Sequence, residues 1–307
     1  MHLKKIIKTK IVCLLFFASV SAYSQPFGGG SGTEQDPYQL STLAHLEELS
    51  GYMLSVPVNY RDKHYILMND ITDTLRVCMG GSINPTGFFA GVFDGQGYSI
   101  TLGLNSCPPG QILAFIPAAI DNFVIKNLTV NGYVATDNIS GSMYMGGIVG
   151  AVGLPVNTSA SDGYIINCIN NAKIYGRHDV GGILGCVLSG KVTIDNCINL
   201  SEVSNYFFYS DNRVGGIVGN VAINTKEIII RNSINYGFVK GTGFTGGILG
   251  GCNIPSYHST SIILENNFNS GVVQSNGNNV GCIIGKSSPN TILINNHYDK
   301  QMCGEED

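Results

Sequence analysis

Apolar residues in this chain come in short bursts set between glycines and asparagines, and the bursts recur. One block, Gly-Gly-Ile-Val/Leu-Gly, starts at residues 146, 181, 215 and 246, and the variant Gly281-Cys282-Ile283-Ile284-Gly285 makes a fifth copy. The starts lie 35, 34, 31 and 35 residues apart. A second block, Ile-x-Asn-Cys-x-Asn followed by Gly-x-Val, occupies 165–170 and 194–199. It returns at 230–235 and 264–269 with Ser233 or Asn267 in place of Cys, and in degenerate form at 125–128 and 294–299. Pieces of three to five largely β-branched residues between turn formers read as strands. A fixed period of 20–50 residues marks a solenoid, propeller or array. A propeller blade needs four strands, usually in about 40–50 residues, and these repeats hold three. The pattern therefore predicts an all-β, right-handed parallel β-helix of about six coils, each strand pairing with its equivalent about 4.8 Å away.

Inward ladders are expected from Ile148, Ile183, Ile217, Ile248 and Ile283, and from Ile194, Ile230, Leu264 and Ile294. Cys168 and Cys197 fall in a ladder as small buried hydrophobes, since Ser233 and Asn267 replace them in later copies. Asn167, Asn196, Asn232, Asn266 and Asn296 are expected to stack at turns, bonding one another or the backbone. The paired glycines supply either a positive φ or a close backbone approach at a corner. Residues 25–105 precede the regular copies and read as an N-terminal cap, because an uncapped solenoid exposes strand edges. Within them, 39–50 read as a short helix. Ser41 or Thr42 caps it, Leu43, Leu46 and Leu49 share a face, and Gly51 ends it. Residues 65–68 read as a strand, and 89–100 as strand, turn and strand around Asp94-Gly95-Gln96-Gly97. Residues 106–307 form the repeat array.

Composition narrows the class further. The chain has 40 Gly and 30 Asn among 307 residues, and only 12% are charged. These are weak helix formers, which argues against a helical bundle. A hydrophobic share of 44% argues against disorder. Residues 1–24 read as a secretory signal peptide: Lys4, Lys5, Lys8 and Lys10, then an apolar run at 11–20, then small residues spaced for cleavage. Cys13 comes too early in that run for a lipobox. Removing the leader leaves 13 basic against 21 acidic side chains, a net charge of −8. That balance argues against nucleic acid as a partner, and no later stretch suits membrane insertion. Export permits disulfides among the eight remaining cysteines, but no CxxC spacing supports zinc.

No HExxH, GxSxG or P-loop is present, so no catalytic residue, cofactor or metal ligand is assigned. The enzymatic alternative is a carbohydrate-active β-helix, a polysaccharide lyase or hydrolase. It needs carboxylates or a cationic base converging on one coil face. The candidates are Asp162, Asp179, Asp195 and Asp211, with Arg177, His178, Arg213 and Arg231. Asp179 and Asp211 precede their Gly-Gly block by two and four residues. The candidate ligand-contact loop is Tyr206, Phe207, Phe208 and Tyr209, four aromatics in one insertion, where solenoids place their contacts.

Gly-Gly-Ile-Val-Gly followed by Ile-x-Asn-Cys-x-Asn-x-Gly-x-Val resembles the GLUG-motif repeats of secreted and surface bacterial proteins. Residues 30–38 and 88–100 are similar to the lead-in of that family, and 298–303 to the point where its arrays pass into further domains. The resemblance covers about residues 28–303. It implies adhesin-like surface proteins, or the non-catalytic parts of larger proteases. Because this chain stops at Asp307, no downstream catalytic or sorting domain is expected, and a piece of a modular protein is a further reading. The expected function is an exported, non-enzymatic, adhesin-like solenoid, secreted or held at the cell surface. Its loops would meet glycan or a host or cell-surface protein. Mass spectrometry of the exported protein should find the N-terminus at Tyr23 or Gln25; a chain that retains Met1 would remove the export reading.

Overall fold

The structure, a computed structural model, describes residues 26–81, 87–106, 112–136, 144–153, 162–206, 211–252, 254–255, 257–277 and 279–303. The expected signal peptide lies outside them. Among the described residues every strand pairing is parallel, in sheets of 13, 6 and 11 strands. The fold is a parallel β-helix. One coil shows the path. Asp162–Ile166 lies in the first sheet, the chain turns at Asn167, and Ile169–Gly176 lies in the third. Asp179–Gly181 lies in the second, and Leu184–Asp195 returns to the first and runs on into the next coil. Six successive coils each add one strand to the second sheet.

The stacking continues N-terminally from the repeats. Tyr38–Leu40, His64–Leu67 and Val92–Asp94 pair in turn into the first sheet, and Ile71–Leu75 and Ser99–Leu104 into the third. Residues 25–105 thus hold coils as well as the covering helix, Leu43–Ser55. Thr42 is its N-cap and accepts from the His45 N–H at 3.2 Å. Gly51 does not end this helix. It sits mid-helix with open space around it, and the last turn persists because Met53 still reaches the core. Phe27, Tyr38, Tyr60 and Tyr65 pack together beside the helix, with Tyr52 stacked on Tyr60 at 4.5 Å.

The predicted aliphatic ladders form the interior. Ile148, Ile183, Ile217 and Ile248 are fully buried, as are Ile165, Ile194, Ile230 and Leu264. Cys168 and Cys197 are buried free thiols in one ladder with Leu128 and Ser233. Burial pushes the Cys197 thiol well up, which suits a packing role. In the final coil the register falls one residue earlier than the sequence suggested. Leu264 pairs with Leu293, and Ile294 pairs with Glu265. The ladder residue is therefore Leu293, and the turn residue is Asn295, not Asn296. An unbroken Ile292-Leu293-Ile294 run gives no phase by itself.

Two rows of asparagine run along the stack. The first is at the turns: Asn127, Asn167, Asn196, Asn232, Asn266 and Asn295 all have φ between 48° and 53°. Asparagine tolerates this left-handed conformation better than most residues. Asn167 Nδ2 donates to Asn127 Oδ1 at 3.1 Å, and Asn196 Nδ2 to Asn167 Oδ1 at 2.9 Å. Asn232 breaks the row by donating to Asp195. The second row is interior and was not anticipated. Asn170, Asn199, Asn235 and Asn269 are fully buried. The first three Nδ2 groups donate to the next Oδ1 at 2.8, 2.7 and 2.7 Å, and all four donate to a backbone carbonyl two residues on.

This interior row, with the close backbone of the same corner, explains the glycine pairs: backbone crowds the first glycine and an asparagine amide the second. None of the glycines at 146–147, 181–182, 215–216 or 246–247 has a positive φ. They are needed for close approach. A Cβ on Gly181 would lie 2.1 Å from the Leu184 carbonyl oxygen. One on Gly216 would lie 2.2 Å from the Gly247 oxygen and 2.4 Å from the Asn235 amide carbon. In the last coil Tyr298 stands where Asn269 stands one coil earlier, and Cys282 replaces the second glycine. Cys282 is disulfide-bonded to Cys303, which closes the row: Asn269 Nδ2 donates to Cys303 Sγ at 3.6 Å. Asn235→Ala should cost about 2–4 kcal/mol in chemical denaturation, because it opens a cavity and leaves amide groups unpaired. Asn232→Ala should cost about 1 kcal/mol, from the left-handed turn and an exposed hydrogen bond to Asp195. Equal losses would overturn this division of roles.

Candidate functional site

The third sheet carries an outward row built by the alternation of its strands. Tyr175 pairs in register with Ser204, Ser204 with Lys240, and Lys240 with Gln274. Immediately after Val203–Asn205, the Tyr206 N–H donates to the Gly176 carbonyl at 3.2 Å. That bond brings the Tyr206 ring to Tyr175, with centroids 5.1 Å apart and planes tilted by 34°. Phe207, Phe208 and Tyr209 lie outside the described residues. A groove of about 240 Å³ is lined by this tyrosine pair together with Glu202, Asn205, Lys240 and Thr242.

The polar side of the groove is organised. Lys173 meets Glu202 at 2.8 Å, and Ser204 Oγ donates to the same carboxylate at 2.9 Å. Burial pushes the Glu202 carboxyl up, but these hydrogen bonds and the charges of Lys173 and Lys240 outweigh it and hold it below the usual range. Asn205 is 5% exposed. Its Nδ2 donates to Thr242 Oγ1 at 3.1 Å and to the Arg177 carbonyl at 3.4 Å, while its Oδ1 has no hydrogen-bond partner. Aromatic faces beside fixed hydroxyl, amide and carboxylate groups can stack a sugar ring and bond its hydroxyls.

The carboxylates considered for catalysis are dispersed. Asp179 lies in a row of the second sheet with Tyr144, Arg213 and Phe244. Register thus sets Arg213, not Asp211, beside Asp179; Asp211 is exposed. Arg213 Nη1 lies 3.3 Å from Asp179 Oδ1, and Asn220 Nδ2 donates to Oδ2 at 2.8 Å. Burial raises the Asp179 carboxyl to about 6, outweighing the Arg213 charge and both hydrogen bonds. His178 is lowered by burial and by the Arg177 and Arg213 charges, against Asp211. Asp195 pairs with Arg231 at 2.8 Å, and Asp162 lies in register with Lys191 on the first sheet. No group of three or more metal-ligating side chains occurs among the described residues.

Sequence reasoning found Tyr206 but missed Tyr175 and the polar groups around it. The signal was in the repeats. Aligning the pieces at 174–176, 203–205, 239–241 and 273–275 puts Tyr175, Ser204, Lys240 and Gln274 in one outward column.

No protein-family model matches the chain. A "Putative Gly-rich membrane protein" of Evansella cellulosilytica is 26% identical over 216 residues, covering 59% of this chain and 24% of that relative. "Halomucin" of Haloquadratum walsbyi is 27% identical over 175 residues, covering 54% of this chain and 2% of its own length. The chain thus spans a quarter or less of the curated relatives it matches. The crystal structure of a "putative immunoglobulin A1 protease" from Bacteroides ovatus has the same fold: TM-score 0.66, 22% identity, covering 89% of this chain and 78% of that one. No helix among the described residues is long and apolar enough to cross a membrane.

The raised Asp179 carboxyl has a stability consequence. Its folded value of about 6 lies above the ordinary 3.8, so the fold favours the neutral acid. That contribution is complete below about pH 4 and is lost as pH rises through 6. A shift of about two pH units corresponds to about 3 kcal/mol. Asp179→Asn should flatten this part of the profile when denaturation is compared at pH 4.5 and 7.5. An unchanged slope would show that Asp179 does not titrate in this window.

Proposed function

We propose that this chain is an exported, non-enzymatic β-solenoid of the GLUG-repeat kind that binds glycan at the Tyr175–Tyr206 groove. The observation that carries the reading is the tyrosine pair set against Glu202, Asn205 and Thr242 along the ends of adjacent strands of the third sheet. Rigid strands hold such a constellation better than loops do. The β-helix fold and the similarity to a protein described as Gly-rich and membrane-associated support a secreted or surface location. An adhesin-like role follows from glycan binding at that location.

A second reading, a carbohydrate-active enzyme, draws on one observation: a buried carboxyl raised toward neutrality is the usual state of a general acid. Both Asp179 oxygens already have partners, Arg213 and Asn220, and this weighs against it.

The test is a glycan and matrix-protein binding screen of the full exported chain beside Tyr206→Ala and Tyr175→Ala. Each variant should lose about tenfold or more in affinity for the glycan that binds, the usual effect of removing a central aromatic anchor. Binding unchanged in both variants would remove the groove from consideration. Depolymerisation of a bound glycan that is abolished by Asp179→Asn would establish the enzymatic reading instead.

A further inference from the structure

Charge in the groove runs against the charge of the whole chain. The chain as a whole is −4, yet the groove's single carboxylate, Glu202, is flanked by two ammonium groups. Lys173 already pairs with Glu202 at 2.8 Å, and Lys240 makes no ion pair among the described residues. Lys240 is an exposed residue that lines the groove from the same outward row as Tyr175 and Ser204. The site therefore has one cation to spare. Asn205 is a fixed, buried wall of the groove, its Oδ1 closed off from solvent. The Thr242 hydroxyl, already accepting from Asn205, lies beside it.

On this basis, and resting on the glycan-binding reading, we propose that the groove's ligand is an acidic sugar, a uronate residue whose carboxylate pairs with the Lys240 ammonium. The ring face lies on the Tyr175–Tyr206 pair. A neutral sugar satisfies the tyrosines but leaves Lys240 unanswered. A free phosphate or sulfate answers Lys240 but has no face for the tyrosines.

The experiment uses the full exported chain and three uronate polymers: polygalacturonate, alginate and hyaluronan. Each is compared with its carboxyl-reduced counterpart, in which the same linkages carry no charge. At least one polymer should bind about tenfold or more tightly in its acidic form, the scale of one charge-assisted contact. Lys240→Gln should bring that ratio close to one, because it weakens the acidic form far more than the reduced one. Raising the salt to 0.5 M should narrow the ratio as well, since the contact is at the surface. Tyr206→Ala should weaken both forms together. A wild-type ratio near one overturns the proposal, whether both forms bind or neither does. So does an acidic preference that survives in Lys240→Gln. Binding of neutral polymers that Tyr206→Ala abolishes, with no acidic preference, would leave the glycan-binding reading standing without this inference. Indifference of all binding to Tyr206→Ala and Tyr175→Ala would remove both.

Discussion

The contact between a buried asparagine amide and the backbone of a glycine carries the cross-section of this protein. Asn199 fills the interior beside Gly182, Asn235 beside Gly216, and Asn269 beside Gly247. Any side chain at those glycines would enter the amide row. In return the amides tie carbonyls such as Ser201 O and Gly237 O that a purely aliphatic interior would strand. Burying amides in an apolar stack is tolerable because Asn199 and Asn235 are each bonded above, below and along their own strand, and Asn170, stacked on Val130, is bonded above and along its own. Where the row ends, the constraint lifts. Cys282 occupies the glycine position in the one coil that has Tyr298 in place of the asparagine.

A rigid cross-section fixes what the outer faces can do. Parallel register places equivalent residues one coil apart, so substitutions at a single repeat position become a row on the surface. The row Tyr175, Ser204, Lys240 and Gln274 is one such case. The row Tyr144, Asp179, Arg213 and Phe244 is another, and there the side chains turn on one another and close up. The first row is open and holds a groove. The second is buried and holds an ion pair with a carboxyl near neutrality.

Much of the fold was legible in the repeats. The Ile148 and Ile194 ladders, the Cys168 and Cys197 packing positions and the turn asparagines follow from a period that chance does not produce. Three features were hidden, each for a physical reason. The Ile292-Leu293-Ile294 run is uniformly apolar, so only pairing with Leu264 and Glu265 sets its phase. Asn170 and its equivalents carry no burial signal, because a polar residue beside a turn is ordinarily solvated. Gly51 reads as a helix stop, and only the contact of Met53 with the core keeps the helix going. At the groove, Tyr206 was conspicuous within an aromatic run. Lys240 and Asn205 are ordinary residues until the coils bring them beside it.

The two asparagine rows differ in direction. In the interior, Asn170 donates to Asn199, Asn199 to Asn235 and Asn235 to Asn269, always toward the C-terminal end. At the turns, Asn167 donates to Asn127 and Asn196 to Asn167, always toward the N-terminal end. The side-chain dipoles therefore oppose one another along the axis and largely cancel. A coil that carries both rows, such as the one with Asn167 and Asn170, is also chemically incomplete on both sides. It needs an acceptor from the coil after it and another from the coil before it. A coil that peels away strands polar groups on two neighbours at once, which couples the rungs of a one-dimensional stack into a cooperative body.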